Sequence, residues 1–119
     1  MNMKFPVEAF ASIETPFYYY DVELLERTLA AVRDEAARYG NFHVHYAIKA
    51  NYNPRLLEII AKAGLGADCV SGGEVAAALA AGVPASKIVF AGVGKTDKEI
   101  ALALDAGIFC FNADRKSVV

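Results

Sequence analysis

The sequence predicts an α/β domain in which short parallel strands alternate with covering helices. Apolar runs of strand length take turns with amphipathic helical stretches along the whole chain. The runs are continuously apolar, as strands enclosed on both faces are. Their connections are short and carry helix caps and terminal glycines. Hydrophobic residues make up 55% of the 119, enough for a core and against disorder.

Residues 1–14 are weakly patterned. Thr15-Pro16 introduces Phe17-Tyr18-Tyr19-Tyr20, which reads as a short aromatic strand, and Asp21 is placed to cap a helix. Leu24, Leu25, Thr28, Leu29, Val32 and Ala36 keep helical spacing up to Tyr39, and Gly40 ends it. The run Phe42–Ile48 reads as a buried strand closed by Lys49. Asn53 with Pro54 at the first helical position starts the next helix, whose apolar face is Leu56, Leu57, Ile59, Ile60 and Ala63, and Gly64 stops it.

A strand over 66–71 follows. Ser71 and Glu74 then have capping-box spacing for a helix to about Ala81. A third strand spans 87–92. Thr96 and Glu99 form a second capping box before a helix over Lys98–Ala106, and Gly107 precedes a fourth strand over 108–112. The order β-α-β-α-β-α-β predicts four adjacent parallel strands in sequence order, with helices on one side.

Lysine and arginine number 12, aspartate and glutamate 14, for a net charge of −2. That balance gives no case for nucleic acid or an anionic membrane as partner. No apolar run is long enough to span a bilayer, and the first residues lack a signal-peptide apolar region. Cys69 and Cys110 lie in apolar runs and read as small buried hydrophobes in a reducing compartment, so the cytoplasm is expected.

The chemistry-bearing candidates lie at strand ends. If Phe42, Val44, Tyr46 and Ile48 face helices, then His43, His45, Ala47 and Lys49 share the other face. Lys49 would stand at the carboxyl end of a parallel strand, where α/β folds bind ligands. By position alone, a lone lysine at a strand end usually just reaches solvent. Asp68, in an otherwise apolar strand, needs a partner, because a buried unpaired carboxylate is costly. Gly94-Lys95-Thr96 suggests a phosphate-binding loop, but the motif's first glycine position is Val89. His43-x-His45 lacks a recognisable third ligand, so no metal site is expected and packing is the better reading.

Tyr46-Ala47-Ile48-Lys49-Ala50-Asn51 resembles the cofactor-lysine motif of the fold-type III pyridoxal-phosphate decarboxylases. These are the alanine-racemase-like barrels that include diaminopimelate, ornithine and arginine decarboxylases. Asp68-Cys69-Val70-Ser71-Gly72-Gly73-Glu74 is similar to their second strand and helix start. Phe90–Ile100, together with Thr15–Asp21, resembles the diaminopimelate branch.

The resemblance implies the N-terminal half of a (β/α)8 barrel that binds pyridoxal 5'-phosphate. Lys49 would carry the cofactor as a Schiff base, and Asp68, Ser71 and Glu74 would line its site, with Asp68 near the Lys49 amine. Ser71 and Glu74 can serve as helix caps at the same time. The implied reaction of the parent enzyme is decarboxylation of meso-diaminopimelate to L-lysine, in a homodimer acting on a small amino-acid substrate. Another decarboxylase or racemase of this fold, or a non-catalytic homologue that binds or regulates, are the alternatives.

The expected organisation has three parts: a segment 1–20 holding a strand of an absent β domain, a partial barrel over 21–112, and a non-native tail over 113–119. In the family, the phosphate-binding glycines, the stacking histidine, the substrate-carboxylate arginine and the residues supplied across the dimer lie downstream. The chain alone is therefore expected to be inactive.

Overall fold

The structure is a computed structural model that describes residues 4–113. Of the tail assigned to 113–119, all but Ala113 lies outside the described residues. In chain order the elements are α1 (Val7–Phe10), α2 (Val22–Arg38), β1 (His45–Ala47), α3 (Pro54–Lys62), β2 (Gly66–Cys69), α4 (Gly72–Ala80), β3 (Ile88–Phe90), α5 (Asp97–Ala106) and β4 (Cys110–Phe111). The strands form one parallel sheet in the order β1-β2-β3-β4, as the sequence predicts.

Each strand is shorter than its apolar run. β1 begins at His45 instead of Phe42, and Ile48–Ala50 coil into a 3-10 turn. β2 stops at Cys69, β3 covers Ile88–Phe90, and β4 has two residues. The flanking apolar residues fall outside the ladders, and Phe42 and Phe109 are exposed. Helix starts are closer to expectation. The Asp21 carboxylate accepts from the Leu24 amide at 2.9 Å, and the Asn53 side chain accepts from the Arg55 amide at 3.0 Å. α2 reaches its cap at Tyr39, before Gly40 with its left-handed φ of 72°.

Register decides the faces. Tyr46 pairs with Ala67 and Ala67 with Ile88; Cys69 pairs with Phe90 and Phe90 with Phe111. Residues in register share a face, and alternate residues along a strand do too. Ala67, Cys69, Ile88 and Phe90 are buried in one cluster with Leu57 of α3, Val75 and Ala78 of α4, and Ala103 of α5. These three helices therefore cover the same face. Phe90 is fully buried, and truncation to alanine would cost about 3–5 kcal/mol. A second cluster of Leu29, Ile60 and Leu65 fastens α2 onto α3.

The predicted strand at Phe17–Tyr20 is not formed among the described residues. Its rings nonetheless alternate. Phe17 and Tyr19 pack on Phe10, Tyr19 also on Phe5, while Tyr18 and Tyr20 stack on each other. The segment has the side-chain period of a strand but no neighbouring strand to complete a ladder. α1, which the weak pattern before Thr15 did not signal, supplies Phe10 to this cluster.

Two close packings generate predictions. The His45 ring and the Lys87 carbonyl occupy the space a Gly66 side chain would need. Gly66→Ala is expected to destabilise the fold by about 1–3 kcal/mol, seen as a lower midpoint in chemical unfolding. Glu99 joins two helix starts, accepting from the Gly72 amide at 3.0 Å and from the Thr96 amide at 2.8 Å. These bonds, Gly72 foremost, hold its carboxyl below the ordinary carboxylate range. A depressed carboxyl stabilises the fold above its unfolded pKa, and that contribution is lost as pH falls through the folded value. Glu99→Gln should lower stability at neutral pH and flatten the acid limb, so that the two stability–pH curves converge in acid.

Candidate functional site

The four site residues read from the sequence lie at or just beyond the carboxyl ends of β1 and β2. Ala47, the last residue of β1, is in register with Asp68. Lys49 follows two residues later in the 3-10 turn, and is exposed, whereas Ile48 before it is buried against the helices. Ser71 is the N-cap of α4 and Glu74 lies in its first turn.

Asp68 occupies the face turned away from the helices, in the row Ala47–Asp68–Val89–Cys110. Its Oδ1 is buried and has no hydrogen-bond partner. A buried carboxylate oxygen left unsatisfied costs several kcal/mol at most sites, on the order of 1–3 for a neutral group and more for a charged one. The contact with Lys49 expected from the sequence is not formed: no ion pair joins the two among the described residues. Lys49 stands in a 3-10 turn and not in the strand alternation from which that contact was expected.

Ser71 and Glu74 both act at the helix start. Ser71 Oγ accepts from the Glu74 amide at 3.1 Å, which is half of the predicted capping box. The Glu74 carboxylate goes elsewhere and accepts from the Val70 amide at 2.7 Å. The box at Thr96 and Glu99 is complete.

Lys95, the lysine of the false phosphate loop, donates to the Gly92 carbonyl at 2.6 Å and the Asn112 carbonyl at 2.9 Å. Its ammonium also lies 5.6 Å from the centre of the Phe90 ring. It thereby fastens the carboxyl end of β4 to the loop after β3. Sequence reading gave it no such role; the signal available was a lysine placed between two strand ends.

The histidines behave differently from each other. His45 is half-buried against Gly66, in keeping with a packing role, but His43 lies before β1 and is exposed. No group of three histidine, cysteine or acidic residues able to hold a metal occurs among the described residues. Both histidines line a cavity of about 460 Å³ with Val32, Phe42, Lys87 and Phe109. That cavity is at the amino ends of the strands, away from Lys49 and Asp68. No described helix is long and apolar enough to cross a membrane.

Residues 23–119 match the family described as pyridoxal-dependent decarboxylase, pyridoxal binding domain. The diaminopimelate decarboxylase of Bacteroides thetaiotaomicron is 59% identical over 110 residues, covering 92% of this chain and 28% of that protein. That of Aquifex aeolicus is 41% identical over 102 residues, 86% of this chain and 24% of its own length. The crystal structure of the Helicobacter pylori diaminopimelate decarboxylase complexed with L-lysine superposes with a TM-score of 0.83 at 39% identity, over 92% of this chain and 27% of that one. The chain thus spans about a quarter of the length of the relatives it matches.

Cys69 supplies the prediction from this region. Burial first, then the charges of Glu74 and Asp68, push its thiol up to about 12. A thiol held protonated is a poor nucleophile. Near pH 8, iodoacetamide should spare Cys69 in the folded protein and modify it at an ordinary rate only after unfolding, as read by peptide mass spectrometry. Modification of Cys69 under native conditions would contradict its burial.

Proposed function

This chain belongs to the family of pyridoxal-dependent decarboxylases, over their pyridoxal-binding domain, and from that premise we propose that the protein carrying it decarboxylates meso-diaminopimelate to L-lysine with pyridoxal 5'-phosphate held by Lys49. The observation that carries the reading is the unpartnered, buried Asp68 Oδ1 at the carboxyl end of the strand beside the one that leads into the exposed Lys49. The similarity to diaminopimelate decarboxylases supports the choice of substrate.

The residues present fit the cofactor. Lys49 provides a primary amine that solvent-borne molecules can reach. To attach a carbonyl group, that amine must first shed its proton. Asp68 Oδ1 is an acceptor without a hydrogen-bond partner in the chain, which a donor brought by the bound cofactor would satisfy. Bound pyridoxal phosphate supplies the electron sink that makes loss of carbon dioxide from an amino acid feasible.

Ser71 and Glu74 contribute by fixing the backbone between Asp68 and α4, which keeps the wall beside Lys49 in place. The row Ala47, Val89 and Cys110 around Asp68 is otherwise apolar, and an apolar surround strengthens whatever charge interaction Asp68 makes. A homodimer acting in the cytoplasm completes the proposed setting.

The test uses a protein of the relatives' full length that carries this sequence. Borohydride reduction after cofactor loading should place the pyridoxyl label on Lys49. Lys49→Ala should remove the visible cofactor absorption, and carbon dioxide release from meso-diaminopimelate should fall to background. Asp68→Asn should retain the label but weaken cofactor affinity about tenfold. A label on another lysine would overturn the site. Turnover of ornithine or arginine with none of meso-diaminopimelate would overturn the substrate.

A further inference from the structure

Asn51 lies two residues after Lys49 and draws together three separate parts of the chain. The Tyr46 hydroxyl, from β1, donates to the Asn51 carbonyl at 3.1 Å. Asn51 Oδ1 accepts from the Asn53 amide at 3.0 Å, and Asn53 in turn caps α3. Asn51 Nδ2 donates to the Tyr20 hydroxyl at 3.1 Å, across a sequence separation of 31 residues. On the other side of Lys49, Ile48 is 1% exposed and locked among the helices.

The backbone that carries Lys49 is therefore held from both directions, although the side chain itself is exposed. Burial raises the Tyr46 hydroxyl above the ordinary tyrosine range. Tyr20 belongs to the aromatic segment whose rings alternate without a ladder, so Asn51 is also the point where that segment meets the turn after β1.

We propose that Asn51 is a positioning residue for the Lys49 amine, coupling the placement of the Tyr20 segment to the place the amine takes at the strand ends. The inference rests on Lys49 being the cofactor lysine. It adds that a residue acting through the backbone beside Lys49 sets the geometry of attachment. A small displacement of a reacting group is enough to cost a large factor in reactivity.

The test uses the full-length protein with pyridoxal phosphate and three variants: Asn51→Ala, Tyr20→Phe and the two combined. Visible circular dichroism per bound cofactor reads the pose of the cofactor against the chain. Hydrogen exchange over residues 48–53 in the cofactor-free protein reads the order of the turn. Asn51→Ala is expected to lose roughly half or more of the dichroism and to slow borohydride-trapped attachment at Lys49 about tenfold. Tyr20→Phe should move both in the same direction by less, and should add nothing to Asn51→Ala.

Faster exchange and a lower melting temperature in Asn51→Ala, with dichroism and attachment unchanged, would reduce Asn51 to a structural role and overturn the proposal. Should Asn51→Ala fail to fold, Tyr20→Phe decides, because it deletes one hydroxyl: unchanged dichroism and exchange overturn the coupling. If the unsubstituted protein takes no label at Lys49, the cofactor assignment falls and this inference with it. That result is read on a different sample and cannot be confused with the others.

Discussion

A side chain in a parallel strand can face only one of two layers, and a ladder imposes the same choice on its neighbours. Here Ala67, Cys69, Ile88 and Phe90 are committed to the helices. That commitment forces Ala47, Asp68, Val89 and Cys110 to the opposite face. A slip of one residue in β2 would drive the Asp68 carboxylate into the helix-packed core and expose Ala67 and Cys69 in its place. The placement of the candidate site is thus a by-product of the same alternation that builds the core.

The carboxyl ends of the strands are fixed by side chains that bond to backbone. Asn51 and Asn53 do this after β1, Ser71 and Glu74 after β2, Lys95 with Thr96 and Glu99 after β3. Helix starts leave amides without partners, and each of these groups satisfies some of them or holds a nearby carbonyl. The loops are thereby ordered by residues other than Lys49 and Asp68. Asp68 Oδ1 takes no part in this ordering. Glu99 extends this order sideways, because one carboxylate serves the starts of both α4 and α5.

Strand order, direction and helix positions were legible because they rest on signals within a few residues: apolar runs, caps and glycines. The caps at Asp21, Asn53 and Thr96 are where their side chains suggested. What escaped the sequence depends on partners distant in the chain. The aromatic strand at Phe17–Tyr20 needed a neighbour that the described residues do not supply. The 3-10 turn at Ile48–Ala50 looks like more strand until the Tyr46 and Asn51 hydrogen bonds are visible. Glu74 has the spacing of a capping box, yet the Val70 amide captures its carboxylate. The place of Asp68 within its strand could be read directly, whereas the turn that carries Lys49 and the missing contact between the two could not.

The three ladders share one further regularity. Residue 45 pairs with 66, 67 with 88, and 89 with 110, so partners stand 21 positions apart every time. The entropy lost in closing a loop depends on its length, and it is therefore nearly the same for each new strand. No ladder must wait for a distant stretch of chain to arrive. As the polypeptide is synthesised from its amino end, each strand finds its place beside one already made, and the sheet can grow at the pace of translation instead of searching for its topology afterwards.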